Sequence, residues 1–494
     1  MAKTLRWLKA AAICSGLMAA ASAHGTTGYF TLGYGAKSMG MAGAVVSSPQ
    51  DTLAASTNPA GMAMIGERLD FGLRFFSPNE RHGKLSTSAF GASFDVKDRS
   101  RRNLFLIPNG GFNNRINERL WFGMSMYGNG GLNTTYDRNL YDESLAVLGA
   151  AQFGIPNPGT PPPALICDPT GTNGPLPPTA AGCGALVPEG TTTGTPDTGT
   201  LGVDLAQALF APTLSMNINN EHAVGVSLLI GVQRFSARGL GNFQCFTDSV
   251  ANNPANAATC PFGAAVPSDG LTNNGNDWSY GAGVRVGWIG EVHPRVTLGA
   301  AVASKVYMSE FDDYDELFAE DGDFDIPANF TLGATFKVTP RLDISFDYQR
   351  ILYGDVKSIS NPGPVPGPAG PGLPPGGDWL GTDDGLGFGW DDINVYHLAA
   401  SYRYNDNWTF RAGYALNDQP IPDDQVLFNI LAPAVIEQHV TLGFTYRPSS
   451  NREWNFAYMH AFKEEVDTSQ SAFGVPAEID MYQNSVDLSY SLLF

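Results

Sequence analysis

From residue 67 to the C-terminus, apolar and polar residues alternate in a series of short segments separated by turn-forming residues. The last segment is the clearest, since one face carries Tyr482, Val486, Leu488, Tyr490, Leu492 and Phe494 and the other carries Gln483, Ser485, Asp487, Ser489 and Ser491. Successive side chains of a β-strand point to opposite faces. The pattern therefore predicts strands with one apolar and one polar face.

We predict fourteen strands, near 67–78, 101–110, 119–128, 204–217, 222–235, 278–290, 295–308, 327–338, 341–353, 391–404, 407–416, 434–447, 452–463 and 482–494. Short turns alternate with long loops between them. This alternation is typical of outer-membrane barrels, in which periplasmic turns are short and extracellular loops are long. The predicted fold is all-β: a 14-stranded antiparallel transmembrane β-barrel over residues 67–494.

Two segments precede the predicted barrel. Residues 1–23 combine basic residues, an apolar run and the small residues Ala21-Ser22-Ala23, which is the pattern of a cleaved signal peptide. Residues 24–66 contain no convincing strand. Within them, Asn58-Pro59-Ala60 has the chemistry of a fixed turn, because Asn bonds its own backbone and Pro presets φ. We expect residues 24–66 to form a plug, or hatch, inside the barrel.

Composition narrows the class of protein. Charged residues make up 16% of the chain, against about 25% in typical soluble domains. Loss of the signal removes three positive charges and no acids, so the formal net charge falls from −19 to −22. Such a charge excludes nucleic acid as a natural partner. The signal peptide and the predicted barrel favour the Gram-negative outer membrane as the location and outer-membrane lipid as a contact.

Four cysteines remain after the signal is removed: Cys167, Cys183, Cys245 and Cys260. An even number of cysteines in an exported protein favours disulfides. Cys167–Cys183 with Cys245–Cys260 is the simplest of three connectivities, and all three stay open. The cysteine spacing does not match a metal site, and we predict no metal and no cofactor.

Several stretches resemble the FadL-type family of outer-membrane transporters for long-chain fatty acids and other hydrophobic compounds. They are Asn58-Pro59-Ala60, the run Tyr348 to Lys357 (YQRILYGDVK), the run Asn405 to Tyr414 (NDNWTFRAGY) and the run Asp418 to Pro422 (DQPIP). The Pro-rich stretch 155–200 departs from the family pattern. The resemblance implies a monomeric barrel that transports passively. A hydrophobic ligand is caught between extracellular loops, the hatch rearranges, and the ligand leaves sideways through a gap at an inward kink of the third strand.

The resemblance assigns roles to particular residues. Gly128, Gly130 and Gly131 end the third strand and suit a kink, although a simple loop start explains them equally well. In the loop 310–325, a short helix would place Phe311, Tyr314, Leu317 and Phe318 on one apolar face that lines the capture groove, or that packs only on itself. The acids of this loop could bind Ca²⁺, but their spacing favours a solvated face.

A carboxylate in a low-dielectric lumen needs a cation. Alignment to the family pattern makes Arg234 and Lys357 the candidates, with a lumenal salt bridge as the alternative role for each. The C-terminal Phe494 resembles the signal that the barrel-assembly machinery recognises.

Other functions remain to be weighed. The histidines are scattered and no nucleophile motif accompanies them, so we predict no enzyme activity. Uptake of aromatic or alkane hydrocarbons, as in the TodX-like branch, is the main alternative substrate. A general diffusion porin is the second alternative, and it would need an open polar lumen. A barrel whose function lies in its loops is the third, and it would depend on the Pro/Gly-rich stretches 155–200 and 361–377.

Overall fold

The computed structural model describes residues 27–89, 92–144, 199–251, 269–367, 370–372, 378–472 and 474–494. Its wall strands are β1 (Arg68–Ala89), β2 (Phe105–Arg115), β3 (Leu120–Asn133), β4 (Gly202–Asn217), β5 (His222–Phe235), β6 (Asp277–His293), β7 (Val296–Ala303), β8 (Asn329–Thr339), β9 (Leu342–Ile351), β10 (Ile393–Arg403), β11 (Trp408–Asn417), β12 (Gln438–Ser449), β13 (Arg452–Thr468) and β14 (Ala477–Leu493).

Each wall strand pairs antiparallel with the next one in the chain. β14 pairs back with β1, from Arg68 opposite Leu493 upward, and closes the sheet. The prediction of a closed 14-stranded antiparallel barrel is confirmed. Every wall strand has a paired neighbour on both sides over at least part of its length, as a membrane-spanning sheet requires. Among the described residues, no helix is long and apolar enough to cross a membrane.

Several strands, among them β1 and β3, are longer than the sequence pattern predicted. β1 runs past a bulge between Asn79 and His82 and forms a hairpin with the short strand Ala92–Arg99. β3 continues to Asn133 through glycines that the pattern assigned to a loop. In both places the chain loses its apolar alternation but keeps its backbone pairing, because these parts rise towards the extracellular loops.

The wall has the polarity of a membrane barrel. In β5, Ser227 is fully buried while the adjacent Leu228 is 47% exposed, and in β14 Asp487 is fully buried while Leu488 is 46% exposed. A soluble protein shows the opposite arrangement. The apolar face of each strand therefore suits contact with lipid, and the polar face lines the lumen.

The N-terminal segment, residues 27–66, is almost entirely buried and contains the helix Gly35–Met39 and the 3₁₀ turns Thr52–Ser56 and Pro59–Ala63. Its polar contacts reach several wall strands. Asn58 Nδ2 donates to Trp288 O at 3.0 Å on β6, Ala42 O lies 2.7 Å from His397 Nδ1 on β10, and Lys37 Nζ lies 2.5 Å from Glu453 on β13.

Glycines let this segment lie directly against the wall. Eight wall strands together contribute nine glycines at which a Cβ atom would come within 2.0–3.1 Å of an atom of residues 27–66. They are Gly111, Gly123, Gly130, Gly225, Gly287, Gly299, Gly333, Gly413 and Gly443. Any larger residue at these positions would push the segment and the wall apart.

Candidate functional site

An apolar groove lies between the outer ends of the strands and the loops above them. Its lining residues are Val203, Phe235, Leu240, Phe243, Leu317, Phe318, Ser358, Leu386, Gly387, Phe388, Phe428 and Leu431. None of these twelve residues is charged. The space open to the centre of a water molecule is about 20 Å³, so a ligand would have to separate the loops.

The loop 310–325 forms one side of this groove, but it is not one helix as expected. A 3₁₀ turn at Asp312–Tyr314 is followed by Glu320 and Asp321 with φ of 58° and 56°, which breaks the helical path. Leu317 and Phe318 therefore line the groove. Phe311 and Tyr314 pack beneath it against Phe235, with ring centroids 5.6 and 4.8 Å apart.

The acids of this loop are held by the protein itself. Asp325 pairs with Lys305 at 2.9 Å and accepts from Met308 N–H at 2.7 Å. Burial and the neighbouring Asp325 carboxylate raise the pKa of Asp323 to about 7. The one cluster of three potential metal ligands within the described ranges is elsewhere, at Glu465, Glu478 and Asp480.

The two basic residues that were predicted to bind the carboxylate of a ligand both form ion pairs within the protein. Arg234 Nη2 lies 2.8 Å from Asp204, and Lys357 Nζ lies 3.1 Å from Glu320 and 3.4 Å from Asp384. Neither side chain lines the groove. Their role as ligand contacts stays a prediction, and each of them already has an acidic partner within the protein.

A column of aromatic rings connects the groove with the lumen. On one side Phe318 contacts Phe324 at 4.9 Å, and Phe324 contacts Tyr29 at 6.1 Å. On the other side Phe388 contacts Trp390 at 6.3 Å, and Trp390 contacts Tyr353 at 5.2 Å. Both branches meet at Phe30, which lies 5.3 Å from Tyr29 and 5.9 Å from Tyr353. Sequence reasoning missed this column, because its rings are far apart in the chain.

Residues 27–34, which we call the strap, close the column from below. The Tyr353 hydroxyl donates to Thr27 O at 2.7 Å and accepts from Tyr29 N–H at 3.1 Å. Gly28 has φ of 65°, and a Cβ there would lie 2.4 Å from the Tyr353 hydroxyl. Glycine is therefore required for this close contact.

The wall is incomplete beside the strap. β2 pairs with β3 only from Gly110 and Met126 downward, so the outer half of β2, residues 105–109, has no partner on that side within the described chain. Pro108 in this half has no N–H to donate, which suits an unpaired edge. The result is a gap between β2 and the upper part of β3.

The strap takes the place of the missing strand neighbour. The pairing of β3 with β2 ends at Met126, and β3 has a bulge just above it, between Gly128 and Gly130. There Thr31 N–H donates to Asn129 O at 3.1 Å and Gly131 N–H donates to Tyr29 O at 3.2 Å. The predicted kink glycines Gly128, Gly130 and Gly131 lie at this bulge.

Asn58-Pro59-Ala60 forms a turn fixed to both the N-terminal segment and the wall. Asn58 Oδ1 accepts from Ala60 N–H at 3.1 Å, and its Nδ2 also donates to Val46 O at 2.8 Å. Gly225 and Gly287 allow the turn to touch β5 and β6.

Other predicted residues are only partly described. Cys167, Cys183 and Cys260 lie outside the described residues, and Cys245 lies in the 3₁₀ turn Gly241–Phe246 with its side chain outside the description. The disulfides stay a prediction. Phe494 follows β14 and is 73% exposed, and its N–H donates to Glu67 O at 3.0 Å. The predicted signal peptide also lies outside the description.

A closed barrel with an apolar outer wall and a polar lining defines an outer-membrane protein. The profile of the family described as outer membrane protein transport protein (OMPP1/FadL/TodX) matches residues 16–150 and 180–490. The chain therefore belongs to this family. Members of the family transport hydrophobic compounds across the outer membrane, and the family is one of transporters and channels rather than of enzymes.

Solved structures share the fold. The P. putida toluene transporter TodX has a TM-score of 0.62 at 18% identity, covering 94% of this chain and 99% of that one. The Ralstonia pickettii toluene transporter TbuX has a TM-score of 0.56 at 18% sequence identity. A Pseudomonas aeruginosa FadL homologue has a TM-score of 0.57 at 16% identity. Each match covers 94% of this chain and 99% of the other. A search of the curated proteins finds no match.

Proposed function

We propose that this protein mediates the passive uptake of long-chain fatty acids or related hydrophobic compounds. The ligand enters the apolar groove between the loops and follows the aromatic column to the strap. Residues 24–66 act as a hatch whose strap moves aside. The ligand then leaves through the gap between β2 and β3 into the membrane.

The gap beside β3 is the observation that carries this proposal. The outer halves of the second and third strands are unpaired with each other and are covered from inside by Tyr29 and Thr31, so they offer a lateral exit once the strap moves. The aromatic column ends at this same strap. A hydrophobic compound that leaves sideways does not have to cross the polar lower lumen.

Deletion of Asn129 tests the lateral exit. The bulge has one residue more on β3 than on β4, so the deletion restores regular pairing without shifting the register on either side. We expect a straightened β3 to close the gap and to lower the uptake of a radiolabelled long-chain fatty acid, measured in cells that lack their own transporter.

Asn129→Ala is the matched control, because it keeps the bulge and removes only the side-chain bonds to Tyr34 and Gln207. It should retain more uptake than the deletion. Undiminished uptake by the deletion variant, with a folded barrel on a heat-shift gel, would contradict lateral exit.

Uptake of aromatic or alkane hydrocarbons is the second candidate function. The uncharged lining of the groove favours it, as does the ion pairing of Arg234 and Lys357. The solved structures of similar fold include toluene transporters. Competition between toluene and a fatty acid for uptake distinguishes the two substrates.

Two partners complete the proposal. The lipid-facing side chains of the wall contact outer-membrane lipid. The C-terminal Phe494 is recognised by the barrel-assembly machinery. Truncation of Phe494 should lower the amount of folded barrel in the outer membrane without changing the uptake per folded molecule.

A further inference from the structure

A small polar cavity lies under the strap, at the lower end of the aromatic column. Its lining residues are Thr27, Phe30, Thr31, Leu32, Gly33, Tyr34, Gly43, Ser56, Thr57, Arg285, Asn329, Thr331, Gln349 and His397. None of them is an acid. The space open to the centre of a water molecule is about 30 Å³, which suits about two waters or a small polar head group.

Arg285 of β6 borders this cavity with an unusual set of partners. The residue is 96% buried, and its Nη1 donates to Ala55 O at 3.2 Å and to Tyr127 Oη at 3.0 Å. A guanidinium has five N–H donors. Within the described ranges, no carboxylate lies within ion-pair distance of Arg285, and its other nitrogens have no protein acceptor.

Other buried cations of the lumen differ from Arg285. Lys37 pairs with Glu453 at 2.5 Å, Arg68 with Asp70 at 2.8 Å and Arg74 with Asp487 at 3.1 Å. Arg81 and Arg411 have no acid within ion-pair distance among the described residues, but neither borders this cavity. A buried charge without a counter-charge is costly, so an anion that enters this cavity would be stabilised by Arg285.

The residues around Arg285 can complete an anion site. Asn329, Thr331 and Gln349 supply neutral donors from β8 and β9. Phe30 is both the end of the aromatic column and part of the cavity lining. A molecule with a hydrophobic body and a carboxylate head therefore fits with its body along the column and its head at Arg285.

Arg285 also touches the structures that close the wall gap. Tyr127, to which it donates, directly precedes the β3 bulge and stacks edge-on against Tyr34 of the strap at 4.6 Å. Tyr34 in turn donates to Asn129 of the bulge at 3.3 Å. A carboxylate that draws the guanidinium towards the cavity would therefore pull it away from Tyr127 and Ala55.

We propose that Arg285 binds the carboxylate of an amphiphilic ligand and couples that binding to the strap and to the wall gap. This inference rests on the proposed function and assigns its substrate class. The ligand is a carboxylate on a hydrophobic body, whether that body is an alkyl chain or an aromatic ring. Arg285 thus replaces Arg234 and Lys357 as the cation in the ligand path.

Binding to the purified full-length mature protein tests the inference. The probes are palmitate, the alcohol of the same chain length, and a phenyl-substituted carboxylate. Arg285→Gln should weaken palmitate binding by about ten- to a hundredfold and change alcohol binding by less than about twofold, because only the acid makes the charged bond. Arg285→Lys should be intermediate, since it keeps the charge and loses the planar fork.

Arg350→Gln is the control, because Arg350 pairs with Asp392 at 3.0 Å and does not border the cavity. An equal loss for acid and alcohol in Arg285→Gln would reveal a purely structural role and overturn the inference. So would unchanged palmitate binding. The affinities of the wild-type protein for palmitate and for the phenyl carboxylate are then compared. The acid that binds more tightly shows whether the preferred hydrophobic body is an alkyl chain or an aromatic ring. A wild-type protein that binds the alcohol but no acid overturns this inference alone, whereas one that binds none of the probes overturns the proposed function as well.

Discussion

At the scale of single residues, Tyr353 controls the strap through one hydroxyl group. It bonds to the backbone of both Thr27 and Tyr29, and Gly28 between them lets the ring come close. The Tyr29 N–H depends on this oxygen, whereas the Thr27 carbonyl also accepts from Phe30 N–H at 3.3 Å. The start of the strap is therefore held to Tyr353 by one hydroxyl group, while Tyr29 O and Thr31 N–H bond to β3.

Tyr353→Phe should loosen the strap. The change leaves the Tyr29 N–H without its partner and removes one of two donors to the Thr27 carbonyl, at a cost of about 1–3 kcal/mol to the attached state. We expect faster hydrogen exchange in residues 27–34, measured by mass spectrometry. Tyr348→Phe is the control, because Tyr348 donates to Asn394 and makes no bond to the strap. Equal exchange in the two variants would show that the hydroxyl does not hold the strap.

The sequence could not identify the residues that meet in the lumen. Asn58-Pro59-Ala60, the kink glycines and the loop residues Leu317 and Phe318 were recognisable from local chemistry or from the family resemblance. Tyr29, Trp390 and Arg285 were not, because each contacts a residue from a distant part of the chain. Arg234 was chosen by alignment, which cannot show that Asp204 lies opposite.

At the scale of elements, glycines in the wall strands allow the N-terminal segment to pack directly against the barrel. Nine glycines on eight strands let backbone or side-chain atoms of residues 27–66 lie against the sheet. The alternation of apolar and polar residues predicted every wall strand, since this signal is local. It could not predict the glycine contacts, because the sequence does not show whether a strand glycine lies against lipid, at a bulge or against the N-terminal segment.

Gly225→Val tests this match. A Cβ at this position would lie 2.4 Å from the Pro59 carbonyl carbon, so the side chain has to displace the Asn58-Pro59-Ala60 turn. We expect a stability loss of about 1–3 kcal/mol, seen as a lower unfolding temperature on heat-shift gels, together with raised ion conductance in planar bilayers.

Leu228→Val on the same strand faces the lipid and is the control. It should leave both the unfolding temperature and the conductance near those of wild type. If Gly225→Val matches Leu228→Val in both measurements, the turn does not depend on contact with β5.

At the scale of the whole molecule, three features follow one another along the barrel. The groove is apolar, the column beneath it is aromatic, and the strap below the column covers an opening in the wall. Residues 27–66 contact strands around the barrel and are buried between them. A general porin would need this space to be open to water.

The most direct test compares two kinds of solute in the same cells. Cells without general porins and without their own fatty acid transporter would express this protein, and the uptake of a labelled long-chain fatty acid and of a small hydrophilic β-lactam would be measured together. Transport through the groove, column and gap predicts fatty acid uptake well above that of cells without the protein, with no change in β-lactam entry. Entry of the β-lactam without fatty acid uptake would contradict this route and would identify an open pore.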